Sequence, residues 1–342
     1  MGLILKTTEY IKYIEMSKSK HLLVEGRTDK KVFEALLDDL FEQGNQDKSR
    51  GDIDIETAED LVKDDADPSA GNREKVELIC LSVDGTPYAD KIVGFVDREF
   101  REFEKSDVLR DKLNRHKTIG RLVWSRGHSI ENYYFDSHIL HKSFKLHSNT
   151  DFHERAINRF QEILNQAINL ACAFGLLAIE FGEIKALKGM IDWKLITITD
   201  AEVNLNFSLF KRKLMERPQF VNNADILIDH LRVWNERVSQ SETSCIRWMC
   251  HGHIGFKFLI SVYARCVYEA CLNAGIRSRQ AETELRNKVL DISEDRLFSI
   301  CAIFWIQKLL KGQCDYPVDV LRFLGLSVPN ENMPSQILTE KC

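Results

Sequence analysis

Apolar residues recur along this chain in two rhythms. Up to about residue 124 they come as short runs that stop abruptly at charge. Leu22-Leu23-Val24 runs into Glu25-Gly26-Arg27, and Ile92-Val93-Gly94-Phe95-Val96 into Asp97-Arg98-Glu99. Short apolar runs bounded by turn residues predict buried strands. Val76–Leu81 and Arg121–Trp124 read as further strands. Between them the period lengthens. Residues 3–18, with Ile4, Ile11 and Ile14, predict an amphipathic helix. Thr28 predicts the N-cap of a helix carrying Val32, Phe33, Leu36, Leu37 and Leu40, and residues 104–117 suggest another. A strand–helix–strand–strand–helix–strand order implies a mainly parallel sheet with helices on its faces.

From about residue 150 helical periodicity dominates. It marks 153–181, 205–216, 222–238, 254–274, 280–290 and 294–311, with one short strand expected at 193–199. The expected organisation is an N-terminal helix (1–20), an α/β domain (21–149), a helical domain (150–330) and a polar tail (331–342). Residues 47–74 hold ten acids and four bases, so an acidic insertion at about 44–75 is expected within the α/β domain.

Composition changes this picture little. The chain has 342 residues, 44% hydrophobic and 29% charged, with net charge −5. These values suit a globular protein and predict no general attraction to polyanions. Nine cysteines without paired spacing read as reduced thiols, and a cytoplasmic location is expected. Met1-Gly-Leu-Ile-Leu5 is too short for a secretory signal, and no membrane span is expected.

The ends of the apolar runs carry the chemistry. In an open α/β sheet ligands bind at the carboxyl ends of the strands. Glu25, Asp97 and Glu99 are expected to converge there, with Asp29 one helical turn beyond Glu25. Ser129 and Glu131 follow the next strand. Clustered carboxylates repel unless cations or protons relieve them. An all-oxygen set suits Mg²⁺ or Mn²⁺. Two such ions roughly 3.5–4 Å apart would clamp the attacking and leaving oxygens of a phosphodiester.

Val24-Glu25-Gly26-x-Thr28-Asp29 followed by Phe95-Val96-Asp97-x-Glu99 resembles the Toprim domain of topoisomerases, primases and OLD-family nucleases. Ser129-Ile130-Glu131-Asn132-Tyr133 is similar to the Ser-x-Glu element of OLD-type nucleases. Together they resemble the OLD-like Toprim effectors encoded beside ABC-type ATPases, above all those of PARIS anti-phage defence systems. The resemblance covers residues 18–135 and reaches the helical half through Trp248-Met-Cys-His-Gly-His253. It implies that Glu25 is a metal ligand and general base, that Asp29 supports the same ion, and that Asp97 bridges two ions. Glu99, Ser129 and Glu131 would complete the second. The implied context is a toxic nuclease held by an ABC-type ATPase and released when a phage trigger protein is sensed. It would act on nucleic acid, host tRNA among the candidates, and work as a homodimer. Two positions depart from the pattern: Glu99 stands where Asp is usual, and His253 where many relatives have Lys, with Lys257 one turn on.

Bases near the acids are candidates for phosphate contact: Arg98, Arg126, Lys112, Arg115 and Lys117, with Lys257 in the helical half. Cys245, Cys250, His251 and His253 have no standard zinc spacing. There is no Gly-x-x-x-x-Gly-Lys-Ser/Thr loop, so any ATPase is a separate partner. Two other readings remain open. One is a catalytically weak Toprim-fold subunit that docks on an ATPase or nucleic acid. The other is a small-molecule phosphotransferase using the same metal site.

Overall fold

Leu22, Leu23 and Val24 are fully buried because their strand lies inside a sheet. In this computed structural model, which describes residues 5–44, 48–62, 71–199, 202–291 and 293–327, chain contacts define two compact units. The first comprises Met1–Asp97, Arg115–Arg126 and Trp305–Cys342; the second Arg98–Asn114 and Gly127–Phe304. The division does not fall at residue 149. Residues 127–149 group with the helical unit, and the chain from Trp305 onward groups with the sheet. The expected tail at 331–342 lies outside the described residues.

The first unit runs α1 (Thr7–Met16), β1 (Lys20–Val24), α2 (Arg27–Glu42), β2 (Ile53–Thr57), α3 (Asn72–Val83) and β3 (Ile92–Val96). Strands β6 (Lys117–Ile119) and β7 (Leu122–Trp124) complete it, and α13 (Val318–Leu324) packs on β3 and β1. The sheet order is β2-β1-β3-β7-β6. All neighbours are parallel except β6 and β7. The chain therefore steps from β1 outward to β2, then crosses back to β3 on the other side. The reversal lies between β1 and β3, where such sheets bind ligands.

Two expectations fail here, the first because charge hid the period. Ile53-Asp54-Ile55-Glu56-Thr57 alternates buried with half-buried positions and adds β2 to the sheet edge, inside the segment read as an acidic insertion. Residues 45–47 and 63–70 of that segment are outside the described residues. Val76–Leu81, read as a strand, belongs to helix α3. Val76, Ile79, Cys80 and Val83 are buried at helical spacing. Lys75 is buried with them, its ammonium donating to the carbonyls of Ala58 (3.0 Å) and Leu61 (2.7 Å). Gly94 lets α3 come this close. A methyl there would sit 2.7 Å from Val76 Cγ1 and against Cys80 Sγ.

The second unit begins with the hairpin β4 (Phe103–Lys105) and β5 (Leu109–Asp111), antiparallel. A helix was expected over 104–117. Instead Glu104 and Lys105 pair with Arg110 and Leu109 across the hairpin, and Asn114 adopts a left-handed φ of 48°, which a helix cannot accommodate. Then follow α4 (Ser137–His147), α5 (His153–Glu180), α6 (Ile184–Lys188), the short β8 (Ile196–Ile198) and β9 (Val203–Leu205), α7 (Phe207–Met215) and α8 (Ala224–Ser239). Next come α9 (Thr243–Met249), α10 (Gly252–Asn273) and α11 (Ser278–Leu285), with α12 (Glu294–Leu310) running across the boundary at Trp305. α5 packs along α10, and both are buried over most of their length. α5 is the one described helix long and apolar enough to cross a membrane, and 72% of its most apolar window is buried inside the protein. The eight described cysteines are unpaired with one another.

Candidate functional site

In the first unit, Glu25 follows the last residue of β1 and Asp97 the last residue of β3. The register pairs Val24 with Phe95, so the two acids leave adjacent parallel strands together at the reversal point. The Asp97 N–H donates to Glu25 Oε1 at 2.7 Å. Both acids are half-buried. Asp29 does something different. It is the third residue of α2, and its Oδ2 accepts from the Gly26 N–H at 3.3 Å, closing the helix N-terminus. Among the described residues, Glu25, Asp29 and Asp97 do not gather as three donors within 4.8 Å.

The group that does gather so is His21, Asp54 and Glu56. It lies at the start of β1 and on β2, four residues from Glu25. Its bonding is used in part: Glu56 and His21 Nδ1 are engaged, while the buried His21 Nε2 has no partner among the described residues. His21 Nδ1 is 2.9 Å from Glu56 Oε1, and Tyr10 donates to Glu56 Oε2 at 3.1 Å. The Tyr13 ring packs edge-on against the imidazole at 5.3 Å. These bonds tie α1 to the sheet edge.

In the second unit, Ser129 and Glu131 sit at a 3₁₀ turn, Ile130–Tyr134. Asn132, fully buried, fixes that turn. Its Oδ1 accepts from the Ser129 N–H at 2.8 Å, and its amide donates to the carbonyls of Arg247 (2.7 Å) and Cys250 (2.8 Å). Glu131 is 6% exposed. Its Oε1 lies 3.2 Å from Nδ1 of the largely exposed His253. Gly252 makes the approach possible, because a methyl there would lie 2.5 Å from Glu131 Oε2 and collide with Ser129 Oγ. Gly252 and His253 open the 22-residue helix α10, whose N-terminal dipole favours the Glu131 carboxylate. Glu99 is exposed, with φ 51°, and its N–H donates to the His128 carbonyl at 2.8 Å.

His128 and His251 stack with ring centroids 4.6 Å apart. Burial lowers both: His128 well below its ordinary value, and His251 to about 4 with His253 adding to the effect. Burial also lowers His147, to about 4, and neither of its ring nitrogens has a partner among the described residues. These imidazoles are neutral at pH 7. Unfolded histidine takes its proton near pH 6.5, so between about 6.5 and 4 the unfolded chain binds more protons than the folded one. Their contribution to stability is present above 6.5 and is lost as pH falls through that window. The melting temperature should fall from pH 7 to pH 4, and His147→Leu should flatten the fall. Identical pH profiles for variant and wild type would contradict the assignment.

The expected phosphate-contacting bases separate. Arg98 is a correction. Its guanidinium is wholly buried, bonded to Asp111 (2.6 Å), Arg101 O (2.8 Å) and Glu102 O (3.1 Å), and stacked 3.8 Å over the Phe103 ring. Arg126 is paired with Asp315. Lys112 and Arg115 are exposed, and Lys117 lies 4.7 Å over the Trp124 ring. Lys257 lines a cavity in the helical unit. Cys245 and Cys250 are buried, and burial raises the Cys245 thiol to about 12. Sequence reasoning did not find the clamp made by Asn132, the steric need for Gly252, or the His128–His251 stack. The Asn following Ser-x-Glu was the one available signal.

The class these observations define is an α/β protein with a mainly parallel five-stranded sheet and a helical region. An acid pair stands at the sheet's reversal point. The chain matches no protein-family model and no curated protein.

Proposed function

We propose that the chain is a metal-dependent nuclease of the Toprim type, an OLD-like effector that cleaves nucleic-acid phosphodiesters. The observation that carries this reading is the Glu25–Asp97 pair at the carboxyl ends of β1 and β3, where the strand order reverses. Both acids offer only oxygen, the donor type that suits Mg²⁺ or Mn²⁺. Glu25 and Asp97 hold one divalent cation in this reading. Ser129, Glu131 and Glu99 are the oxygen donors of the second unit. A bound cation supplies charge stabilisation at a phosphoryl oxygen and a more acidic water. His253, with Nδ1 directed at Glu131, has Nε2 left to give or take a proton.

The wider setting is part of the proposal: restraint by an ABC-type ATPase, release by a phage trigger protein, a homodimeric active form and a target such as host tRNA. It rests on the sequence resemblance alone. A second reading has its own support. Asp29 is engaged in capping α2 rather than joining a three-acid cluster, as suits a docking subunit of weak activity. Incubating the full chain, free of any ATPase, with end-labelled RNA, tRNA and DNA tests the choice. Mg²⁺- or Mn²⁺-dependent cutting that a chelator stops supports the nuclease. Intact substrates under every divalent metal reject it.

A further inference from the structure

Lys257 stands one turn along α10 from His253, so the two share a helix face about 6 Å apart along the axis. Its side chain lines a cavity of about 220 Å³ together with Trp193, Lys194, Ser261 and Asp192, over apolar Ile191 and Ile260. The donors in it are not satisfied internally. Ser261 is 3% exposed, and neither its hydroxyl nor the Lys257 ammonium has a hydrogen-bond partner among the described residues. The Trp193 indole N–H also lacks an acceptor among them. The one carboxylate in the lining, Asp192, is already engaged. It pairs with Lys213 and accepts from the Lys194 N–H at 2.6 Å. Lys194 adds a second cation, its ammonium 5.3 Å over the Trp193 ring and 3.4 Å from half-buried Glu282.

A cavity rich in donors, with its only acid neutralised, is complementary to an oxyanion. We propose that it binds a phosphate of the nucleic-acid strand, one helical turn from His253, with Lys257 and Ser261 on its non-bridging oxygens. The adjoining sugar would lie over Ile191 and Ile260. The inference rests on the nuclease reading for the identity of the oxyanion.

The test measures binding rather than cutting. Fluorescein-labelled single-stranded RNA and DNA of one sequence are titrated with the full chain in chelator, over a range of salt. In whichever polymer the wild type binds, Lys257→Gln/Ser261→Ala should weaken affinity about tenfold. It should also lower the slope of log affinity against log salt by about one. Lys257→Arg should keep most of the binding, which excludes a folding defect as the cause. Unchanged affinity and slope in the double variant, or no binding of either polymer by wild type, would overturn the proposal. The two readings fail separately. Binding lost in the double variant without cutting by wild type keeps the pocket and rejects the nuclease. Cutting with binding unchanged does the reverse.

Discussion

Glu25→Ala should lower nucleic-acid cleavage by about 10³-fold or more, the scale on which loss of an essential catalytic group is measured. Relief of toxicity in cells should accompany it. The substitution removes both a charge and an acceptor, since Glu25 Oε1 receives the Asp97 N–H. Losing that acceptor alone costs on the order of 1 kcal/mol. Glu25→Gln separates the effects. Its amide oxygen keeps the bond, but a neutral amide is a far poorer ligand for a hard divalent cation. Gln should therefore be as inactive as Ala and more stable. A Gln variant that cuts at the wild-type rate would show that charge at this strand end is not needed.

Arg98→Ala should be the most destabilising single change in the second unit. Arg98 and Asp111 are 0% and 6% exposed in their side chains and lie 2.6 Å apart. The guanidinium also holds the carbonyls of Arg101 and Glu102, closing the loop before the β4–β5 hairpin. Removing one partner leaves Asp111 buried and unpaired, at about 3–5 kcal/mol. A melting temperature lower by roughly 6–15 °C is expected. Arg98→Lys should recover only part, because an ammonium cannot reproduce the guanidinium fork. Replacing both partners, as in Arg98→Met/Asp111→Leu, should cost much less than Arg98→Ala. A loss in the double variant equal to the sum of the losses in Arg98→Met and Asp111→Leu alone would show that the pair is not coupled.

The buried Arg98 also explains what was legible in the sequence and what was not. Ile92–Val96 is continuously apolar, so β3 and the position of Asp97 could be read directly. Arg98, between two acids, reads equally well as an exposed phosphate contact, and only the fold reveals Asp111 as its partner. The long helices α5 and α10 announced themselves because the helical period persists over many turns. β2 did not. Its outward positions, Asp54 and Glu56, resemble a solvated acidic run, and only pairing with β1 shows the alternation. α3 was obscured in the opposite way, because Val76–Leu81, apolar except for Glu77, fits a strand or one face of a helix equally well. At the site, the Glu25 and Asp97 strand ends were visible as motifs. The capping use of Asp29 depends on local geometry that spacing does not encode.

In the proposed function Glu25 and Asp97 form a cation-binding pair at the reversal of the sheet. Calorimetric titration of the full chain with Mn²⁺ addresses it without requiring a substrate. Wild type should bind saturably and Glu25→Gln/Asp97→Asn should not, with the melting temperature of the metal-free proteins little changed. An identical Mn²⁺ isotherm in the double variant would contradict it.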